Sequence, residues 1–141
     1  MTTRHLVDTN VLVRFLTGQP PEMAAAAKAL VESADAGAVV LEVLPVIVAE
    51  TVYTLESFYE MDRKDVASKL LVFLQCRGLK AHERERVLDA LARHRDHHIH
   101  FADAYLAAAA AEMGLAVASF DRDLDKLKDI RRFEPRAASS R

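Results

Sequence analysis

RHLVDTNVLVRFLTG, residues 4–18, is the stretch whose reading decides the fold. RHLVD (4–8) is a short run of strand character that ends at Asp8. From there Val11, Leu12, Phe15 and Leu16 recur at the three-and-four spacing of one helix face. The segment therefore reads as a strand that turns straight into a helix. Gly18 stops that helix, and Pro20-Pro21 opens the next, PEMAAAAKALVESADA (21–36), closed by Gly37.

The same alternation continues outward. AVVLE (38–42) reads as a strand, and Pro45 starts the helix PVIVAETVYTLESFYE. Asp62 is placed to cap DRKDVASKLLVFLQCRG, which Gly78 would end. LKAHE (79–83) is a weaker strand. RERVLDALARHRDHH is an amphipathic helix with Val87, Leu88, Leu91 and Ala92 on one face. FADAYLAAAAAEMG (101–114) is a further helix, whose alanines permit close packing. LAVASF (115–120) reads as a strand, DRDLDKL as a short helix and IRRFE (130–134) as an edge strand. Strands alternating with helices predict an α/β fold with three α/β/α layers around a central, mostly parallel sheet of four or five strands. At 141 residues, with no linker or repeat, one domain spanning 1–141 is expected, frayed over about 136–141.

Composition narrows the function classes. The chain is 51% hydrophobic with mean hydropathy near zero, as in a water-soluble globular protein. No segment reaches the ~18 uncharged apolar residues of a membrane span, and MTTRHLVDTN lacks the apolar core of a secretion signal. The single cysteine, Cys76, excludes an internal disulfide; it lies in SKLLVFLQCRG and reads as a small buried hydrophobe. A reducing cytoplasm is the expected compartment. From Arg122 to Arg141 there are seven Lys/Arg against four Asp/Glu, a basic flank that could guide a polyanion to a metal but that by itself reads better as a solvated charged surface. No GxGxxG, Walker loop, GxSxG or CxxC is present, so nucleotide-cofactor, acyl-transfer and thiol-redox chemistries lack support.

Four carboxylates remain: Asp8, Glu50, Asp103 and Asp121. Each lies in, or abuts, sequence that reads as core. A buried carboxylate needs a partner or a metal. Asp8 and Asp121 follow strand-like runs, and open α/β sheets gather their sites at strand carboxyl ends. Hard oxygen donors converging there suit Mg²⁺ or Mn²⁺, which can polarise a phosphodiester and activate water. Asn10 and Ser119 stand beside Asp8 and Asp121 as supporting polar groups. Singly, Asp8, Asp103 and Asp121 also read as helix caps or dipole partners. Glu50, in the middle of a helix, does not.

VDTNVLVRFLTG, PVIVAETVYTL, FADAYLAAAA and ASFDRDLDKL, in that order, resemble the PIN-domain ribonucleases, and among them the VapC toxins of toxin–antitoxin pairs. The resemblance runs from about Leu6 to Leu127. It implies that Asp8, Glu50, Asp103 and Asp121 are the family's acidic quartet around Mg²⁺ or Mn²⁺, with Asn10 and Ser119 as its accompanying polar residues. It implies cleavage of single-stranded or loop RNA, a homodimer, and an antitoxin whose C-terminal segment blocks the site. Many members carry an acid three residues before the third motif Asp; here that position is His100. A non-catalytic module that binds RNA or a partner is the alternative reading. A metal-dependent phosphatase is a third, but position 8 begins DTN rather than DxDx[TV].

Other residues have competing readings. Arg14 pairs with a pocket acid or an RNA phosphate, or forms a surface salt bridge. His94 and His98 have zinc-ligand spacing, yet the cluster His94, His97, His98 and His100 reads better as a solvated helix end. Tyr53, Phe58 and Tyr59 read as core or dimer contacts. Asp123 reads as a solvated helix start, or as an extra ligand.

Overall fold

A computed structural model describes residues 2–138. Strand β1 (Thr3–Leu6) leads into helix α1 (Thr9–Thr17). Then follow α2 (Pro21–Asp35), β2 (Val39–Val43), α3 (Pro45–Ser57), α4 (Arg63–Leu74) and β3 (Leu79–Ala81). Helices α5 (Arg84–His97) and α6 (Phe101–Met113), strand β4 (Val117–Ala118), a 3-10 turn over Arg122–Lys126 and β5 (Arg132–Phe133) complete the described chain. The fold is mixed α/β, with six α-helices and parallel strands among the described residues.

Every strand pairing among the described residues is parallel. Thr3 stands opposite Val39 and Leu6 opposite Glu42, while Leu41 to Val43 run beside Leu79 to Ala81. Parallel neighbours require crossovers, and the helix pairs α1–α2 and α3–α4 supply them. The strands do not form one hydrogen-bonded sheet of four or five. They pair as three, in the order β1-β2-β3, and as two, β4-β5. The second pair is only two residues deep on each side, too short to extend a ladder far.

The helices form for legible reasons. Gly18 takes the left-handed conformation and donates its N–H to the Arg14 carbonyl at 2.9 Å, which terminates α1. Prolines open α2 and α3. The core joins Leu12 and Val13 of α1, Leu41 and Val43 of β2, Val48, Val52 and Leu55 of α3, and Leu70 and Leu74 of α4. Phe15 and Phe73 meet with ring centroids 5.3 Å apart. Ala104, Ala107 and Ala108 of α6 are buried, and α6 packs closely on α5, as the alanine run anticipates. Truncating a fully buried leucine such as Leu55 or Leu91 to alanine costs about 2–5 kcal/mol.

Several expectations are corrected. Thr3–Leu6 are all exposed, and only Val7 of the opening run enters the core. Helix α4 ends at Leu74, so Cys76 falls in the following turn and is exposed rather than buried. Gly78 does not cap α4. Its φ is +82°, and a β-carbon there would lie 2.2 Å from the Ala34 carbonyl oxygen, so the close approach of β3 to the end of α2 requires glycine. Asp62 occupies the cap position without a side-chain cap bond.

The buried stripe of α5 is Val87, Ala90, Leu91 and His94, with Leu88 and Ala92 only half-buried. His94 therefore belongs to the core and not to a solvated helix end. Its Nδ1 lies 2.6 Å from the Ile99 carbonyl and its Nε2 2.6 Å from Glu56, so neither nitrogen is left for zinc. His97, His98 and His100 are exposed. Tyr53 and Phe58 are 71% and 81% exposed, which removes them from the core. From Ser139 on, the tail expected to fray lies outside the described residues.

Candidate active site

The four acids occupy two settings. Asp8 follows β1 with extended backbone, caps α1, and accepts the Thr9 N–H at 2.8 Å. Glu50 stands in the middle of α3 and accepts the Thr9 hydroxyl. Both acids are exposed, so the burial expected from their apolar surroundings is not found. α1 and α3 pack on each other, which brings Asp8 and Glu50 onto one open cavity of about 280 Å³. Asn10 and Thr54 share its lining.

Asp103 lies in the first turn of α6, and Asp121 follows β4 as the cap of the 3-10 turn. Both are half-buried. Asp121 accepts the Asp123 N–H at 2.9 Å, and its own N–H donates to the Ser119 hydroxyl oxygen at 2.9 Å. Ser119 thus shapes the backbone that presents Asp121. Burial pushes the Asp103 carboxyl above its ordinary range. The negative charge of Asp121 pushes it further, and nearby His100 offsets part of the rise. His100 is therefore close to this acid pair, as its sequence position suggests. Asp123 adds to the negative field there but is exposed and pairs with Lys126 at 3.5 Å.

Asp8 thus meets Glu50, and Asp103 meets Asp121. Among the described residues, no three His, Cys, Asp or Glu side chains form a set that holds a metal by itself. The donor chemistry nonetheless fits a hard divalent cation. The donors are carboxylates with amide and hydroxyl groups beside them. Among the described residues none of the four acids is ion-paired to Lys, Arg or His. The Asp103 carboxyl is raised first by burial and then by the charge of Asp121, and His100 offsets only part of that rise.

Arg14 pairs with none of these acids. It donates to the Tyr59 hydroxyl at 3.0 Å and lines a separate groove with Asn10 and Met23. A larger cavity, about 630 Å³, lies between α3 and α6 and is apolar, lined by Val46, Ala49, Phe101 and Leu106. Its walls carry none of the four acids. Thr9 and Thr54 are the residues that sequence patterns do not single out. Thr9 hides inside DTN between two more conspicuous polar neighbours, and only its contact across to α3 reveals it.

The frame is thus a parallel α/β fold with carboxylates after its strands and at its helix starts. The family model for the PIN domain matches residues 5–130, and the chain belongs to the PIN-domain family. PIN domains are typically metal-dependent nucleases. No curated protein matches the chain.

Proposed function

We propose that this chain is a single-domain, metal-dependent endoribonuclease and the toxin of a type II toxin–antitoxin pair, acting in the cytoplasm. The observation that carries the nuclease reading is the like-charged pair Asp103 and Asp121, which forms no ion pair among the described residues and whose charge His100 offsets only in part. Asp8 and Glu50, which share a cavity of their own, would supply the remaining donors. These four would hold Mg²⁺ or Mn²⁺. When bound, the cation polarises a phosphodiester and makes water a better nucleophile. Asn10 offers an amide at the cavity wall, and Ser119 fixes the backbone before Asp121. The open cavity suits a single-stranded or looped RNA better than a small enclosed substrate.

The toxin role, the antitoxin that blocks the site and the homodimer rest on the resemblance of the four ordered motifs to VapC toxins. The apolar groove with exposed Val46 and Leu106 supports a surface for a second copy. No helix of the described chain is long and apolar enough to cross a membrane. A second reading, a non-catalytic module that binds RNA or a partner, draws on the absence, among the described residues, of a ready three-ligand set.

The test is cleavage of a single-stranded RNA with Mn²⁺, with EDTA, and with Asp8→Asn. Cleavage that needs Mn²⁺ and Asp8 supports the nuclease. Cleavage that survives both chelation and the substitution overturns the metal mechanism, and RNA binding without cleavage supports the second reading. Expression without an antitoxin should arrest growth; unimpaired growth with soluble, active nuclease present would count against the toxin role alone.

A further inference from the structure

We propose that Thr9 is a positioning residue: it fixes the Glu50 carboxylate against Asp8 and so sets the cation affinity of this half of the site. The proposal rests on the nuclease reading above and refines its geometry.

Thr9 is the first residue of α1 and is 8% exposed. It serves two acids at once. Its N–H donates to Asp8 Oδ1 at 2.8 Å, and its hydroxyl donates to Glu50 Oε1. Position explains why the hydroxyl reaches outward. Thr17 of α1 and Thr51 of α3 return their hydroxyls to carbonyls one turn back, Val13 and Ile47, each at 2.7 Å. Thr9 begins its helix, so no helical carbonyl lies one turn behind it. A nearly buried hydroxyl must still find an acceptor, and the acceptor here is Glu50.

The consequence falls on Glu50. An exposed glutamate in mid-helix has three free side-chain torsions and no reason to hold one position. Among the described residues Thr9 is the one donor to its carboxylate. The β-branched Thr9 side chain is stiff at its first torsion, which makes it a firmer anchor than serine. Anchoring Oε1 leaves Oε2 without a protein donor and available to an external cation. Outer partners of this kind typically change metal affinity or activity by about 10–100-fold.

The test compares Thr9→Val, which keeps shape and loses the hydroxyl, with Thr9→Ser, which keeps the hydroxyl. Mn²⁺ affinity is measured calorimetrically on the full chain without RNA, and kcat and KM on a single-stranded RNA. Thr9→Val should bind Mn²⁺ about ten-fold more weakly or worse, and kcat should fall with KM little changed. Thr9→Ser should recover most of both. Wild-type Mn²⁺ affinity in Thr9→Val, or a serine variant as impaired as the valine one, overturns the proposal. If Thr9→Val does not fold, Thr9→Ala against Thr9→Ser carries the same comparison. A wild-type chain that neither binds Mn²⁺ nor cleaves RNA overturns the nuclease reading itself, and with it the role given to Thr9. An active wild type with an unimpaired valine variant overturns the role of Thr9 only.

Discussion

Glu42 on β2 and Asp103 on α6 are both acids beside the parallel sheet, and the chain treats them in opposite ways. Glu42 receives Arg4 Nε at 2.6 Å and His82 Nε2 at 2.6 Å. The Arg4 guanidinium and then the His82 ring draw its carboxyl down to about 2. Asp103 receives no such partner, and burial and Asp121 drive its carboxyl upward. The same division holds elsewhere. Arg93 bridges Asp89 and Asp129, and Arg132 bridges Asp125 and Glu134. Acids that tie elements together are given close ion pairs from the chain, whereas Asp103 and Asp121 form none among the described residues, and His100 offsets only part of the burial and repulsion that act on Asp103. Perturbed, incompletely compensated carboxylates of this kind mark functional sites more often than structural ones.

The hardest test of that contrast is Asp103→Asn. RNA cleavage should fall by more than about 100-fold, beyond what losing an outer partner costs. Stability should move the other way. The Asp103 carboxyl ionises less readily in the folded chain than in the unfolded one, so its ionisation works against the fold. That penalty is absent below its ordinary value of 3.8 and is complete above the raised value. Asp103→Asn should therefore melt higher than the wild type at neutral pH and match it more closely in acid. A variant that keeps its activity, or melts lower at neutral pH, would place Asp103 among the structural acids with Glu42.

A cation should erase the difference between the two regions. If Asp103 and Asp121 await one, Mn²⁺ at one hundred times its dissociation constant should stabilise the wild type by about 2.7 kcal/mol. Asp103→Asn should lose most of that gain, and Glu42→Gln should keep it. Denaturant titrations with Mn²⁺ and with EDTA measure both. Equal responses in the two variants would show that the ion does not bind at the acid pair.

What the sequence reveals and what it hides divides along the same physical line. Local periodicity reads out in good part: Leu12 enters the core with Val11, Phe15 and Leu16 packed against it, Gly18 ends α1, and α6 packs through its alanines, while the buried Val13 falls off the face that the spacing marks. The order of the acids after strands and at helix starts is legible because capping and strand ends are local features. Long-range pairing is not. Nothing in LAVASF or IRRFE says that β4 and β5 pair with each other and stand apart from β1-β2-β3. Nothing in the spacing of His94 and His98 says that His94 turns inward to Glu56, 38 positions away. Glu50 reads as part of the core because its helix is apolar on nearly every side, and the exposed Val46 and Tyr53 show how incompletely that helix is covered. The contact of Thr9 with Glu50 exists only where α1 meets α3, which no local pattern encodes.

Glu42 offers the smallest effect and the cleanest control. Its folded value, about 2, lies below its ordinary 4.5, so the unfolded chain binds the proton more tightly. The stabilisation it provides is complete above pH 4.5 and drains away as pH falls through about 2. Glu42→Gln should remove that slope, flattening the acid limb of a melting-temperature profile between pH 4.5 and 2. Both partners approach from exposed or half-exposed positions, and high salt should shrink the wild-type slope towards that of the variant. RNA cleavage at neutral pH should not change, because Glu42 is already satisfied by Arg4 and His82 and has no charge to offer a cation. If Glu42→Gln instead lowered cleavage as far as Asp103→Asn does, the division between acids paired within the chain and acids left for a metal would fail.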